Sequence, residues 1–429
     1  MKIFDGRLRW VLIFWIFVMS AVAYLDRVNF SIAAPAVQKE FGLSDVQLGW
    51  VFSAFAIGYA LFQAPGGRLA DRFGPRRIIV VGVIWWGIFT TATALVPPGF
   101  SMAIAALMAI RFILGLGEAV VYPASNRLVA KWIPSSERGV ANGLIFMGVG
   151  AGAGITPPLI TFILVNWGWH WSFYISALIG LAAGAVWFLL ARDAPQNHPW
   201  IAKSELAHIE AGLPTPVKEL EAGKALPLSA ILKNRNMLAI GLSYFAYGYI
   251  AYIFFSWFFI YLNKVRGLNL KSSALYSMLP FIAMAVCSLA GGFIADALTR
   301  RYGKRIGRSG FAAFGIALSS VFIALATQVE SAEVASIVLA GGAGALYLSQ
   351  SAFWAVTADI AGPSAGFASG LMNMSGQTGS VVTASLTPWI AVHFGWTASF
   401  LVAAALCAIG AAAWLLVDPN ARIAARKSA

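Results

Sequence analysis

Apolar residues run along this chain in long blocks separated by short polar stretches. Twelve blocks can be delimited, at about 10–35, 46–66, 78–97, 101–126, 139–164, 169–191, 237–263, 274–295, 309–328, 333–357, 366–391 and 396–417. Each approaches or exceeds the roughly 20 residues that a helix needs to cross the hydrocarbon core of a bilayer. Strands in lipid would alternate apolar and polar residues over runs of about ten, and no such alternation appears. A backbone in lipid must satisfy its own hydrogen bonds, so the blocks predict spanning helices. Glycines inside the blocks, such as Gly148, Gly150, Gly152 and Gly154, predict close helix contact, because small residues let helices approach one another in lipid.

The polar stretches orient the helices. With the N-terminus inside, the inner stretches hold most of the Lys and Arg, including Arg68, Arg72, Arg76, Arg77, Arg127, Lys131, Arg138, Arg300, Arg301, Lys304, Arg305 and Arg308. The outer stretches hold only Lys39, Lys264, Arg266 and Lys271. This asymmetry is the positive-inside pattern and predicts that both termini are cytoplasmic. The longest polar stretch, 192–235, contains Pro195, Pro199, Pro214, Pro216 and Pro227, with a short surface helix expected over Ser204–Glu210. It reads as a cytoplasmic linker between an N-terminal six-helix half, 1–191, and a C-terminal six-helix half, 236–429.

Composition agrees. The chain is 59% hydrophobic and 11% charged, against about 25% charged in soluble domains. Its net charge of +13 follows from the inner stretches, so it does not point to nucleic acid. Cys287 and Cys407 both fall in apolar blocks and read as core-filling thiols, with no disulfide or metal framework. No nucleotide-binding loop or metal-spaced cluster is present, and no cofactor, metal or catalytic group is expected. A membrane enzyme or sensor would need such a group or an attached soluble domain.

Four charges interrupt the apolar pattern: Asp26 and Arg27 in the first block, Arg111 and Glu118 in the fourth. An ionisable group at membrane depth costs on the order of 3 kcal/mol on insertion scales and usually faces a protein interior or a watery cavity. Helical geometry puts Arg111 and Glu118 near one face, two turns apart, which suits stations along a cavity better than a mutual ion pair. The first helix runs outward and the fourth inward. Arg27 and Arg111 therefore reach a similar depth in the outer half, with Glu118 nearer the middle. Arginine stays charged and its planar fork matches a carboxylate, so two of them suit an organic anion. Ion pairs that merely join helices are the plainer alternative. The four charges cancel, so a bound monoanion leaves the cavity negative unless a carboxylate takes up a proton. Anion and proton then favour each other's binding.

The halves repeat. Gly139-Val-Ala-Asn-Gly-Leu144 matches Gly366-Phe-Ala-Ser-Gly-Leu371, Gly168-Trp-His-Trp-Ser-Phe173 matches Gly395-Trp-Thr-Ala-Ser-Phe400, and Gly67-Arg-Leu-Ala-Asp71 matches Gly292-Phe-Ile-Ala-Asp296. Internal repeats are typical of secondary transporters, with the substrate site near the midplane between the halves.

On these residues a resemblance can be stated. Gly67-Arg-Leu-Ala-Asp-Arg-Phe-Gly-Pro-Arg-Arg77 resembles the loop signature of the major facilitator superfamily, departing at Pro75, where a basic residue is usual. Tyr24-Leu-Asp-Arg-Val-Asn29, Arg111-Phe-Ile-Leu-Gly-Leu-Gly-Glu-Ala119 with Tyr122-Pro123, and Trp132-Ile-Pro-Ser-Ser-Glu-Arg-Gly139 are similar to its anion:cation symporter family. The resemblance implies an all-α membrane protein of twelve helices in two pseudo-symmetric halves around a central cavity, and a monomer in the inner membrane. It implies proton-coupled symport of an organic anion such as a hexonate, hexuronate or glucarate. Asp26 and Glu118 would couple the proton, and Arg27 and Arg111 would hold the carboxylate. Exchange, or sodium-coupled carriage of a dicarboxylate or aromatic acid, stays open. Tyr24 and Tyr59 could donate to substrate hydroxyls or simply pack. Ser351, Trp354 and Asn373 lie where the family contacts sugar hydroxyls, although Asn373 could equally pair with a neighbouring helix. Asp71, beside Arg72, would meet the start of helix eleven near Gly366 and a basic residue such as Arg127, latching the inner gate, with Asp296 as its degenerate second copy.

Overall fold

The computed structural model describes residues 6–43, 45–213, 226–258, 261–268 and 270–423. The first half comprises α1 (Leu8–Phe41), α2 (Asp45–Phe73), α3 (Pro75–Ala94), α4 (Ala103–Glu118), α5 (Val121–Trp132), α6 (Arg138–Trp167) and α7 (Trp169–Leu190). Two short helices follow, α8 (Lys203–Gly212) and α9 (Leu228–Leu232). The second half comprises α10 (Arg235–Ser256), α11 (Leu270–Tyr302), α12 (Phe311–Ala326), α13 (Ala332–Leu348), α14 (Gln350–Ala361) and α15 (Ala365–Leu415). No strand occurs among the described residues. The fourth apolar block is split into α4 and α5, the tenth into α13 and α14, and α15 carries the last two crossings, so the described helices make twelve crossings.

Composition alone marks ten stretches of the described residues as long and apolar enough to span a bilayer. One of them, Ala332–Thr383, contains two crossings. The remaining crossing is α2, which meets the other half through Gln63, Arg68 and Asp71.

The sequence repeat is visible as geometry. Gly168 joins α6 to α7 with φ 85° and ψ 168°, and its repeat partner Gly395 turns α15 with φ 84° and ψ 161°. A positive φ of this kind excludes side chains with a Cβ, so the matched glycines build the same corner twice. The helices at these corners meet the other half: α2 against α15 and α6 against α11. A Cβ on Gly67 would strike the Gly366 backbone, and one on Gly292 would strike Gly139. The residues that repeat in sequence are thus the ones through which each half approaches the other.

The start of α1, α8, the end of α14 and the stretch after α15 as far as Ile423 lie at one end of the bundle, here called the linker end. Glu205 of α8 is buried and accepts hydrogen bonds from the backbone amides of Leu8 and Arg9, each at 3.0 Å, capping α1. Arg9 bridges Glu205 to Glu137 at the start of α6. Pro214 and Pro216 lie outside the described residues. His198 packs beside Trp132 and Trp200, and burial holds its pKa below the usual histidine value.

Candidate functional site

Between the halves lies a cavity of about 240 Å³, lined by α1, α2, α4, α5 and α6 on one side and by α10, α13, α14 and α15 on the other. Half of its lining residues are aromatic, and among those described only Arg27 and Arg111 are charged. The cavity is formed where α4 gives way to α5, just past Glu118, and where α13 gives way to α14 at Ser349. Tyr347, Gln350 and Trp354, at i, i+3 and i+7, lie along one face of their crossing, as Arg111 and Tyr122 do along theirs.

The four sequence-singled charges come together but face different ways. Adjacent residues on a helix point about 100° apart. Arg27 faces the cavity, whereas Asp26 turns toward α3 and accepts from the Thr90 hydroxyl at 3.1 Å on each oxygen. Asp26 is buried and does not line the cavity. Arg27 donates from Nε to Glu118 Oε1 at 2.5 Å. Its guanidinium lies over the rings of Tyr59 and Tyr24, at 4.1 and 4.9 Å from their centroids. Arg111 lies over Phe30 and Phe55, at 4.4 and 4.8 Å, in the field of both Asp26 and Glu118.

Three polar atoms of this group are buried without a partner: Arg27 Nη2, Arg111 Nε and Glu118 Oε2. Buried polar atoms are nearly always paired, and an orphan costs about 1–3 kcal/mol, more when charged. Two arginine donors are thus left open beside a 240 Å³ space.

Tyr24, Tyr59, Trp354 and Asn373 line the same cavity. Asn373 also donates to Gln63 Oε1 at 2.8 Å, tying α15 to α2. Ser351 does not line it: the residues of that crossing that do are Tyr347, Gln350 and Trp354, and Ser351 sits on another face of α14, fully buried. Sequence reading passed over Gln350, whose signal was an amide inside an apolar block. It also passed over Thr90, which reads as an ordinary helix residue until Asp26 is seen to face it.

The linker end is closed by ionic contacts between the halves. The Asp71 carboxylate accepts from the Gly366 and Phe367 amides at 3.0 and 2.8 Å, at the start of α15, with Arg127 Nε at 3.5 Å. The Asp296 carboxylate accepts from the Gly139 and Val140 amides at 2.9 and 2.7 Å, at the start of α6, with Arg308 Nη2 at 2.7 Å. Each copy of the repeated Asp thus binds the other half's copy of the repeated Gly. Arg72 stays out of this contact, exposed, with its guanidinium over Phe73. A third contact was not foreseen: Arg138 pairs with Asp359, which also holds Lys304 at 2.8 Å. An Asp at the end of an apolar block was its only sequence signal.

The model of a family described as the Major Facilitator Superfamily matches residues 16–304 and 297–429. A probable sulfoacetate transporter of Cupriavidus necator is 34% identical over 94% of this chain and 92% of its own length. A hexuronate transporter of Bacillus subtilis is 31% identical, covering 92% and 91%. A probable galactarate/D-glucarate transporter of Bacillus subtilis is 30% identical, covering 98% and 94%. Among solved structures, a proton:xylose symporter superposes with a TM-score of 0.71 at 16% identity over 94% of each chain. A superfamily transporter in the outward conformation superposes at 0.72 and 17%, over 96% of this chain and 98% of that one. At such identities these two establish the fold.

Proposed function

Because the chain belongs to the Major Facilitator Superfamily and is a multi-pass membrane transporter, we propose that it carries a small organic anion, of the sugar-acid kind, in symport with a proton. The observation that carries this reading is the Arg27–Glu118 pair beside the open donors of Arg111. Relatives named for hexuronate, galactarate/D-glucarate and sulfoacetate all handle organic acids, which supports the anion.

The coupling follows from valence. While Glu118 holds Nε, the Nε–Nη2 edge of Arg27 is closed to a carboxylate. Protonation of Glu118 removes its hold on Arg27, and the arriving carboxylate takes its place with charge conserved. Without the proton, anion and Glu118 would compete for one guanidinium in a cavity poorly screened by water. Asp26 lies behind Arg27, held by Thr90, and is the second carboxylate able to balance Arg111. It acts as a reserve site for the proton.

Alternating access would open the linker end by breaking the Asp71 and Asp296 contacts. A carboxylate at a helix start is worth about 0.3–2 kcal/mol, small enough to break within a transport cycle. The basic linker end would be cytoplasmic, in the inner membrane, with 192–235 joining the halves. Proteoliposomes with an imposed pH gradient test the reading. Uptake of D-gluconate or D-galacturonate against its gradient, with alkalinisation outside, is expected. Uptake of an organic acid that ignores the pH gradient would remove the proton from the mechanism.

A further inference from the structure

The two walls of the cavity differ in one respect that bears on which anions fit. Both cations lie on the first half, at Arg27 and Arg111. The described lining of the second half contains no charged residue; its polar groups are tyrosines, the Trp354 indole and the side chains of Gln350, Asn373, Gln377 and Ser380. Gln350 is 3% exposed, and its Nε2 donates to the Tyr244 hydroxyl at 3.2 Å. Its Oε1 has no partner. Turning the amide over would leave the other atom open instead, so one polar atom of a buried side chain in this cavity is unmatched either way.

Resting on the anion reading above, we propose that Gln350, braced by Tyr244, is the specificity-determining residue of the uncharged pole: it takes a hydroxyl of a polyhydroxy monocarboxylate and so selects monoanions over α,ω-dianions. A second carboxylate reaching this wall would be buried without a cation, which is far more costly than an unmatched hydroxyl. A site built to bond a hydroxyl discriminates strongly against analogues that lack it, because its own polar atom is then stranded.

The test uses purified full-length protein in proteoliposomes, with D-gluconate, D-glucarate, sulfoacetate and hexanoate as probes. Wild type is expected to take up D-gluconate with a kcat/KM at least tenfold above that for each of the other three. Gln350→Leu should narrow the D-gluconate to hexanoate ratio by about tenfold. Gln350→Lys places a cation at the neutral pole and should raise D-glucarate uptake relative to D-gluconate by at least tenfold, a gain that misfolding cannot produce. Wild-type preference for D-glucarate or sulfoacetate would overturn the inference and leave the anion reading standing. So would a Gln350→Leu variant with an unchanged ratio, or a Gln350→Lys variant without the gain. Binding of none of the four, together with indifference to Arg27→Ala, would remove the anion reading and this inference with it.

Discussion

The cavity and the linker end both bury ionic groups of both signs, but they use them differently. At the linker end the carboxylates of Asp71 and Asp296 have both oxygens engaged, each accepting two backbone amides and facing a guanidinium. In the cavity Glu118 keeps one oxygen open, and both arginines keep a nitrogen open. Completed hydrogen bonding makes a buried carboxylate a structural tie, whereas incomplete bonding leaves a group that gains by binding something else. Saturation belongs to Asp71 and Asp296 rather than to every group at that end, since Asp359 Oδ2 and Arg308 Nε and Nη1 lack a hydrogen-bond partner there.

The largest effect should come from the open arginines. Arg27→Lys and Arg111→Lys keep the charge and lose the planar fork. Each is expected to lower D-gluconate uptake by about ten- to a hundredfold, as a hydrogen bond to a charged group is worth roughly 1.5–3 kcal/mol. Insertion and melting temperature should stay near wild type. Near-normal uptake by both variants would put these residues in the same class as the saturated linker-end charges.

Glu118→Gln removes the titrating carboxylate beside Arg27. It should abolish accumulation against a gradient while retaining counterflow exchange, which needs no net proton movement. Binding should lose much of its pH dependence, because the amide permanently lacks the charge that competes with the anion. A variant that still concentrates substrate from a pH gradient would shift the coupling to Asp26.

Asp71→Asn weakens a tie instead of a receptor. Losing a carboxylate from a helix start, about 1–2 kcal/mol, should shift the population toward an open linker end by about five- to thirtyfold. Cysteine labelling from that side should rise, with substrate binding preserved. Asp296→Asn should act in the same direction, since the two contacts are repeat copies. Unchanged labelling in both variants would mean that the ties do not govern the gate.

The smallest effect is expected for Glu205→Ala. It uncaps α1 at Leu8 and Arg9 and should cost about 1 kcal/mol, as cap removal usually does. A drop in melting temperature of only about 2 °C is expected for a chain this long, with uptake unaffected. A loss of transport out of proportion to that drop would give α8 a part in the cycle beyond capping.

Much of this protein was legible before any fold was known, because a bilayer imposes its demands segment by segment. Each crossing must be apolar over about 20 residues, so the twelve blocks appear in the sequence one at a time. Charges within them stand out against that background, so Asp26, Arg27, Arg111 and Glu118 could be named without knowing their neighbours. The repeat pointed to Gly67, Asp71, Gly139 and Gly366, which are the residues joining the halves. What only the tertiary structure decided was direction. That Arg27 meets Glu118, that Asp26 turns to Thr90, and that Gln350 and not Ser351 reaches the cavity are set by helix rotation. In an apolar block every face of a helix can be buried, so hydrophobic periodicity leaves rotation undetermined, and packing against the other half settles it.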